Sequence, residues 1–411
     1  MIGEAELRAR VDAAIAAGPA LRARPREQVA ERVAAAWALI ADPERAPGRA
    51  ARERLPETTG LSLPMIAWAL QATFARADRQ AHLEAARRMA PPDDAARAPA
   101  RLSALVLAGN VFTACVQPCS MALLAGSPLV VKASSKDDVL PSLFVAALAQ
   151  VDVELAEACE VVTFPGGTPT LESALMSRAD VVSVYGSDAT LTAVRRRLAP
   201  TASLVAHGHG LGAGFVSRDA LENEDAARAA ATAFALDVAA YDQRGCMSPH
   251  VIWVERGGGV DGADWASMLA AQLDRLAADL PRGPLPREVG AAQIQWRGVA
   301  AARGELIEGD GWSVSYEGGA ALRVSPGWRN VMVLDVDGPA ALGAALAPLG
   351  VHLKTLGVAG DAARRREVAA ALPAGLAPRV TAAGQMQRPS LLSLADGRPP
   401  WEGLFRLTAL E

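Results

Sequence analysis

The sequence has few cysteines, no long apolar run and no excess of basic residues. Its net charge of −4 argues against a nucleic-acid-binding protein, which would present a basic face. No apolar stretch approaches the length needed to cross a bilayer, so we expect no membrane span. The charged N-terminal segment MIGEAELRAR lacks the apolar core of a signal peptide.

The four cysteines are too few for a disulfide framework in a chain of 411 residues. They predict a reducing, cytoplasmic setting in which a free thiol can act as a reagent. Cys115 and Cys119 have C-x-x-x-C spacing, but no second Cys or His pair completes a zinc site, so we expect no metal.

Lysine is nearly absent: it occurs only at Lys132, Lys136 and Lys354, and every other basic side chain is arginine. This usage suggests that arginine replaces lysine wherever it can serve. A retained lysine then indicates a position that needs a compact ammonium group.

Apolar residues make up 51% of the chain and charged residues 21%, which is typical of a globular protein long enough for two cores. Helical spacing covers 25–40 and 63–89, and after residue 101 short apolar runs alternate with Ala/Leu-rich helices. This alternation predicts an α/β protein with a parallel, doubly wound sheet. The predicted strands are 102–108, 129–131, 160–164, 180–185 and 214–216, and the helices between them are 118–125, 141–149, 170–177 and 188–198.

A second α/β region follows a long helix at 222–240 and begins with a loop, 241–249, that contains Gly245-Cys246. We expect a strand at 250–254 directly after this loop. The further helices predicted are 263–280, 286–303, 339–349 and 362–372, and the further strands are 312–316, 331–336 and 353–358.

The local sequence around Cys246 is compatible with two interpretations. A thiolate attacks a thioester carbonyl readily, and the preceding glycine leaves room for a substrate. The alternative is an ordinary buried cysteine, which is the common fate of this residue type.

The segment DQRGCMSP around Cys246 resembles the nucleophile loop of the acyl-CoA reductase family, which is typified by the fatty-acid reductase of bacterial bioluminescence and forms a branch of the aldehyde dehydrogenase superfamily. Four other segments resemble superfamily motifs in the same order, from about residue 100 to 411: LAGNV (107–111), VVKASS (130–135), VYGSDATLTAVR (184–195) and GQMQRPSLLSLADGRPPWEGLFRL (384–407). In VVKASS, Ala133 stands where the superfamily usually has proline.

The resemblance implies an aldehyde dehydrogenase-like fold with a Rossmann-like cofactor domain, an α/β catalytic domain and a small bridging element. The corresponding divisions are a helical N-terminal region (1–95), a nicotinamide-binding domain (96–240), a catalytic domain (241–383) and a C-terminal tail (384–411). It also implies reduction of an acyl thioester, carried on CoA or a carrier protein, to an aldehyde. An acyl-transferring partner protein and a homo-oligomer belong to the same expectation.

The resemblance also assigns residues. Cys246 is the nucleophile and Asn110 donates to the oxyanion, although on position alone Asn110 is a turn or helix-cap residue. Lys132 binds the adenosine ribose or its phosphate, although a lone lysine at a strand end is otherwise solvated.

The turns Gly186-Ser187 and Gly167 suit a phosphate at a helix N-terminus, although most α/β proteins have several such turns. Ser135 occupies the place of a glutamate that contacts the ribose in many NAD-using relatives. A 2′-phosphate would meet no carboxylate there, so we expect NADPH, with NADH as the other possibility.

His207 falls where the hydrolytic relatives have a general-base glutamate, and the stretch AHGHG (206–210) contains no carboxylate. A structural histidine in a glycine-rich loop is the competing reading. Two other functions stay open: an NAD(P)-dependent aldehyde dehydrogenase that makes the acid, and a catalytically silent relative that serves as a binding subunit.

Overall fold

The computed structural model describes residues 2–90 and 95–409, which form two compact units. The first unit consists of Met1–Thr59, Ile66–His209 and Pro389–Glu411, and the second of Gly60–Met65 and Gly210–Arg388. Each unit is therefore built from separate stretches of chain. The sequence-based division at residues 95, 240 and 383 is drawn differently and stays a prediction.

The first unit begins with helices and continues with alternating strands and helices. Its helices are α1 (Glu4–Arg22), α2 (Arg26–Ala41), α3 (Ala46–Thr59), α4 (Leu63–Phe74, which starts in the second unit), α5 (Arg79–Arg88), α6 (Val116–Ala125), α7 (Val139–Val151), α8 (Val153–Ala156), α9 (Pro169–Met176) and α10 (Asp188–Arg195). Its strands are β1 (Ala95–Pro99), β2 (Ser103–Val106), β3 (Leu129–Ala133), β4 (Cys159–Thr163), β5 (Val181–Tyr185), β6 (Ser203–His207) and, from the last part of the described chain, β14 (Phe405–Ala409).

Five of these strands form a parallel sheet in the order β4-β3-β2-β5-β6, and β1 pairs with β14 in a separate antiparallel ribbon. Every residue of β2 and β3 is buried, as expected for strands covered on both faces. Leu7 and Val11 of α1 pack into the same core as Val130 and Val182 of the sheet. The N-terminal helix thus belongs to the core of the sheet.

Helices α2, α5 and α6 share a buried polar network. The Trp37 indole N–H donates to Ser120 Oγ at 3.0 Å, and His82 Nε2 lies 3.0 Å from the same oxygen. His82 Nδ1 donates to the Asp78 carbonyl at 2.8 Å, so a neutral ring accepts at Nε2. Burial lowers the pKa of His82. Ser120 Oγ also lies 2.8 Å from the Val116 carbonyl, so the single hydroxyl proton is shared between this oxygen and Nε2 of a neutral His82.

The second unit contains a larger sheet, with seven strands against the five of the first unit. Its elements are β7 (Leu211–Val216), α11 (Glu224–Ala239), β8 (Pro249–Glu255), α12 (Gly262–Asp279), α13 (Arg287–Arg303), β9 (Glu305–Gly309), β10 (Trp312–Tyr316), β11 (Asn330–Val336), α14 (Pro339–Leu346), β12 (Leu353–Ala359), α15 (Ala362–Ala371) and β13 (Val380–Ala382). The seven strands follow the order β13-β12-β7-β8-β11-β10-β9, parallel throughout except for the β9–β10 pair.

The predicted α/β class with parallel sheets is confirmed. The single helix predicted at 63–89 is wrong, because the chain turns after α4 and Asp78 caps a new helix by accepting from the Ala81 N–H. No helix of the described residues is long and apolar enough to cross a membrane.

Candidate active site

Cys246 lies in the loop between α11 and β8, in the second unit. The loop is fixed against β7, whose Gly212 N–H donates to the Ser248 carbonyl at 2.8 Å. A Cβ at Gly212 would lie 2.3 Å from the Met247 carbonyl oxygen, so only glycine allows this approach. The Ser248 N–H donates to the Gly245 carbonyl at 3.0 Å, which closes a turn around Cys246.

Two side chains upstream of Cys246 anchor this loop. Gln243 donates to the carbonyls of Pro249, at 2.7 Å, and Asn330, at 2.9 Å, and accepts from the Asn330 N–H at 2.8 Å. Asp242 accepts at Oδ1 from Arg329 Nη2 at 2.7 Å and at Oδ2 from the Gly283 N–H at 3.0 Å. The loop is therefore held to β11 and to the segment before α13 by buried groups.

The other three thiols differ from Cys246. Cys115, Cys119 and Cys159 are buried, whereas Cys246 is partly exposed. Burial raises the pKa of Cys159 to about 12, and a hydrogen bond with Cys115 together with burial raises the pKa of Cys119. The thiols of Cys119 and Cys159 are therefore poor nucleophiles. No cluster of metal-ligating side chains occurs among residues 2–90 and 95–409.

Asn110 lies on the exposed loop after β2, in the first unit. Its neighbour Gly109 has φ of 78°, and a Cβ there would lie 2.5 Å from Ser134 Oγ. Glycine is therefore required at position 109 for two reasons: the backbone is left-handed there, and the Ser134 side chain leaves no room for a Cβ. Because Asn110 and Cys246 belong to different units, their joint action stays a prediction.

Lys132 occupies the carboxyl-terminal half of β3 and is only 7% exposed. Its Nζ lies 5.3 Å from the centroid of the Phe164 ring, and within the described chain it makes no hydrogen bond or ion pair. Burial lowers the pKa of this ammonium group. Ser135, two residues beyond the end of β3, is exposed.

The predicted phosphate turns follow β4 and β5. Ser187 caps α10, because its hydroxyl accepts from the Thr190 N–H. The Gly186 N–H donates to the His207 carbonyl at 3.2 Å. Gly167, after β4, has φ of 80°, and its N–H donates to Glu172 at 2.8 Å.

His207, at the end of β6, has a carboxylate partner that comes from the C-terminal tail. Its Nδ1 donates to Asp396 Oδ2 at 2.8 Å, and its ring stacks on Tyr185 with centroids 4.2 Å apart. The 206–210 stretch has no carboxylate of its own, and Asp396 pairs with the His207 ring from outside this stretch. No signal in the sequence links these two residues, which lie 189 positions apart.

The predicted site residues of the first unit share one edge of one sheet. Lys132 pairs in register with Val106, which precedes the Asn110 loop, and Tyr185, before the Gly186 turn, pairs with His207. Since the strands are parallel, their carboxyl ends meet at this edge, where ligands of open α/β sheets bind. The structure brings this group together, and it places Cys246 in the second unit.

The sequence profile of the family described as "Acyl-CoA reductase (LuxC)" matches residues 28–411. The chain belongs to this family. A curated relative, the long-chain acyl-protein thioester reductase of Aliivibrio fischeri, is 27% identical over 188 residues. That match covers 45% of this chain but only 38% of the relative.

Solved structures of similar fold include aldehyde dehydrogenases. A Burkholderia cenocepacia protein described as an aldehyde dehydrogenase has a TM-score of 0.76 at 18% identity, with coverage of 98% of this chain and 89% of its own. Aldehyde dehydrogenase 21 from Physcomitrella patens has a TM-score of 0.74 at 14% identity, with coverage of 99% and 90%. The predicted aldehyde dehydrogenase-like fold is confirmed.

Proposed function

We propose that this chain reduces an acyl thioester to an aldehyde, with Cys246 as the acyl-carrying nucleophile and NADPH as the reductant. The observation that carries the proposal is the family match, which spans residues 28–411 and therefore includes the Cys246 loop. The partial exposure of this thiol, in contrast to the three buried ones, supports the same assignment.

The chemistry follows from the residues of the chain. The Cys246 thiolate attacks the substrate carbonyl, the bond to the carrier sulfur breaks, and the carrier leaves as a thiolate that takes up a proton. Asn110 and the Cys246 N–H donate to the oxyanion of the tetrahedral species. Two-electron reduction of the Cys246 thioester, with uptake of one proton, gives a thiohemiacetal that releases the aldehyde and restores the thiol.

The residues at the sheet edge fit a dinucleotide. Among the described residues the buried ammonium of Lys132 has no ion pair within 4 Å, which suits a ribose hydroxyl or a phosphate. The N-terminal turn of α10 presents backbone N–H groups to a phosphate. A bound reduced nicotinamide supplies the hydride. Gly167, Gly186 and Ser187 form the turns that would hold its pyrophosphate.

The choice of NADPH rests on the charges near Lys132. Ser135 is neutral and exposed, and Lys136, also exposed, adds a second positive charge one residue later. A ribose 2′-phosphate therefore meets cations and no carboxylate from these positions. The acyl carrier is CoA or a carrier protein, and an acyl-transferring partner and self-association belong to the same proposal.

Intact-protein mass spectrometry after mixing with a panel of acyl-CoAs tests the nucleophile. The wild type should gain one acyl mass that a free thiol removes, and NADPH should convert this adduct to aldehyde. Cys246→Ser should form no adduct, because a neutral hydroxyl is far less nucleophilic. Cys115→Ser should still form it. An adduct on Cys246→Ser, or none on the wild type, contradicts the proposal.

A further inference from the structure

The loop before Cys246 has an unusual backbone. Tyr241, Asp242 and Gln243 have φ values of 53°, 53° and 58°, so three consecutive residues other than glycine adopt the left-handed conformation. Such residues normally occur singly, since Cβ approaches the following carbonyl. A run of three persists only where the surroundings hold it.

A second left-handed run lies just before β11. Gly327, Trp328 and Arg329 have φ values of 75°, 57° and 65°. The two runs are joined by the ion pair between Arg329 and Asp242 and by a contact of the Arg244 guanidinium with the Trp328 ring, 5.2 Å from its centroid. Two strained segments, 87 positions apart at the ion pair, therefore hold each other in place.

The ion pair is almost completely removed from solvent. The side chains of Arg329 and Asp242 are 2% and 1% exposed. Arg329 donates to Oδ1 through both Nε, at 3.1 Å, and Nη2, at 2.7 Å, while the Gly283 N–H occupies Oδ2. Removing either charge leaves the other one buried and uncompensated, which is strongly unfavourable.

We propose, building on the proposed role of Cys246, that Asp242 and Arg329 are positioning residues that hold the nucleophile loop in the geometry required for acyl transfer. The ion pair fixes the backbone at Asp242, four residues before Cys246. The hydrogen bond from the Gly212 N–H to the Ser248 carbonyl fixes the backbone on the C-terminal side of Cys246. The Cys246 thiol is then held in a single orientation relative to the carbonyl of a bound thioester. Orientation of this kind matters for a large substrate and little for a small, freely diffusing electrophile.

This difference provides the test. Asp242→Asn removes the charge and keeps the size of the side chain. We expect acylation at saturating acyl-CoA to slow about 10- to 100-fold, with KM nearly unchanged. Alkylation of Cys246 by iodoacetamide should change by less than about threefold, because that reaction needs the thiolate but not its orientation.

Two further variants separate positioning from general damage. Glu317→Gln removes another buried carboxylate of the same unit, one paired with Arg303 and Arg323, and should leave the ratio of acylation to alkylation unchanged in folded protein. Arg329→Lys keeps a buried cation and should recover part of the acylation that Arg329→Met loses.

Amide hydrogen exchange of residues 241–249 gives a readout that does not depend on acyl chemistry. Faster exchange in Asp242→Asn is expected. If the wild type forms no adduct, the proposed function fails, whereas faster exchange in Asp242→Asn still shows that the ion pair holds the loop that carries Cys246. If the wild type forms the adduct and Asp242→Asn matches its rate, or if acylation and alkylation fall by the same factor, the positioning role is wrong.

Discussion

Gly109→Ala tests whether the loop that carries Asn110 takes part in acyl transfer. Gly109 has φ of 78°, and an added Cβ would lie 2.5 Å from Ser134 Oγ and 2.6 Å from Ser134 Cβ. The left-handed conformation alone costs alanine about 1–2 kcal/mol. Because both contacts are below 3 Å and one is to a Cβ, rotation of Ser134 does not relieve them, and the loop itself must move.

The functional magnitude follows from the proposed role of Asn110. Loss of one oxyanion donor costs about 10²- to 10³-fold in rate in enzymes that form tetrahedral acyl intermediates. We therefore expect Gly109→Ala to slow formation of the Cys246 adduct by about 100-fold or more. Single-turnover acylation measured by mass spectrometry, with the substrate concentration varied, separates this loss from a change in substrate binding.

A matched control and a rescue make the prediction specific. Gly257 also has a positive φ, 85°, but a Cβ there meets nothing within 4 Å, so Gly257→Ala shares the conformational cost and should acylate normally. Gly109→Ala/Ser134→Gly removes the colliding side chain and should recover most of the rate. Normal acylation by Gly109→Ala, or a double variant as slow as the single one, would refute this reasoning.

Four other predictions concern the buried Ser120 network, its pH dependence, the cofactor and the fate of the acyl group. Ser120→Ala should lower the free energy of unfolding by about 2–4 kcal/mol in chemical denaturation, since it leaves two buried groups without a partner, while the exposed Ser177→Ala should cost little. Burial lowers the pKa of His82 in the folded state below 6.5. The contribution of neutral His82 to the free energy of unfolding should therefore be complete above pH 6.5 and be lost as the pH falls through the folded-state value. Denaturation midpoints that stay constant below pH 6.5 would contradict this. Ser135→Glu should shift the ratio of kcat/KM values from NADPH toward NADH, and an unchanged ratio would count against the proposed 2′-phosphate site. The wild-type adduct should persist for many minutes without cofactor, whereas His207→Glu should hydrolyse it to the free acid; rapid acid release by the wild type would favour the dehydrogenase alternative.

The strands and helices with strong apolar patterns were predictable from the sequence. The fully buried strands β2 and β3 and the strand after Cys246 lie within one to two residues of their predicted positions. Strand β6 was missed, because Ser203–His207 has polar ends and only one fully buried residue. The break between α4 and α5 was not predicted, because the apolar spacing continues across it and only the Asp78 cap marks the start of the new helix.

In the candidate site too, the local motifs could be predicted and the long-range partners could not. Local motifs pointed to Cys246 and to the turns at the sheet edge, because the chemistry of each depends on neighbouring residues. The partners that hold the site were not predictable: Arg329 reaches Asp242 and Asp396 reaches His207 across long stretches of chain. Such pairs depend on tertiary geometry, and a single sequence has no local signal that predicts which distant residues pair.

The pairing of β1 with β14 has a consequence for synthesis on the ribosome. The first unit contains residues from both ends of the described chain, and Gln117 of α6 donates to the Leu391 and Ser393 carbonyls. Residues 210–388 can therefore emerge and begin to fold while the first unit still lacks its closing ribbon. During that interval the edge of β1 has no strand beside it, and pairing with another nascent chain competes with the correct closure.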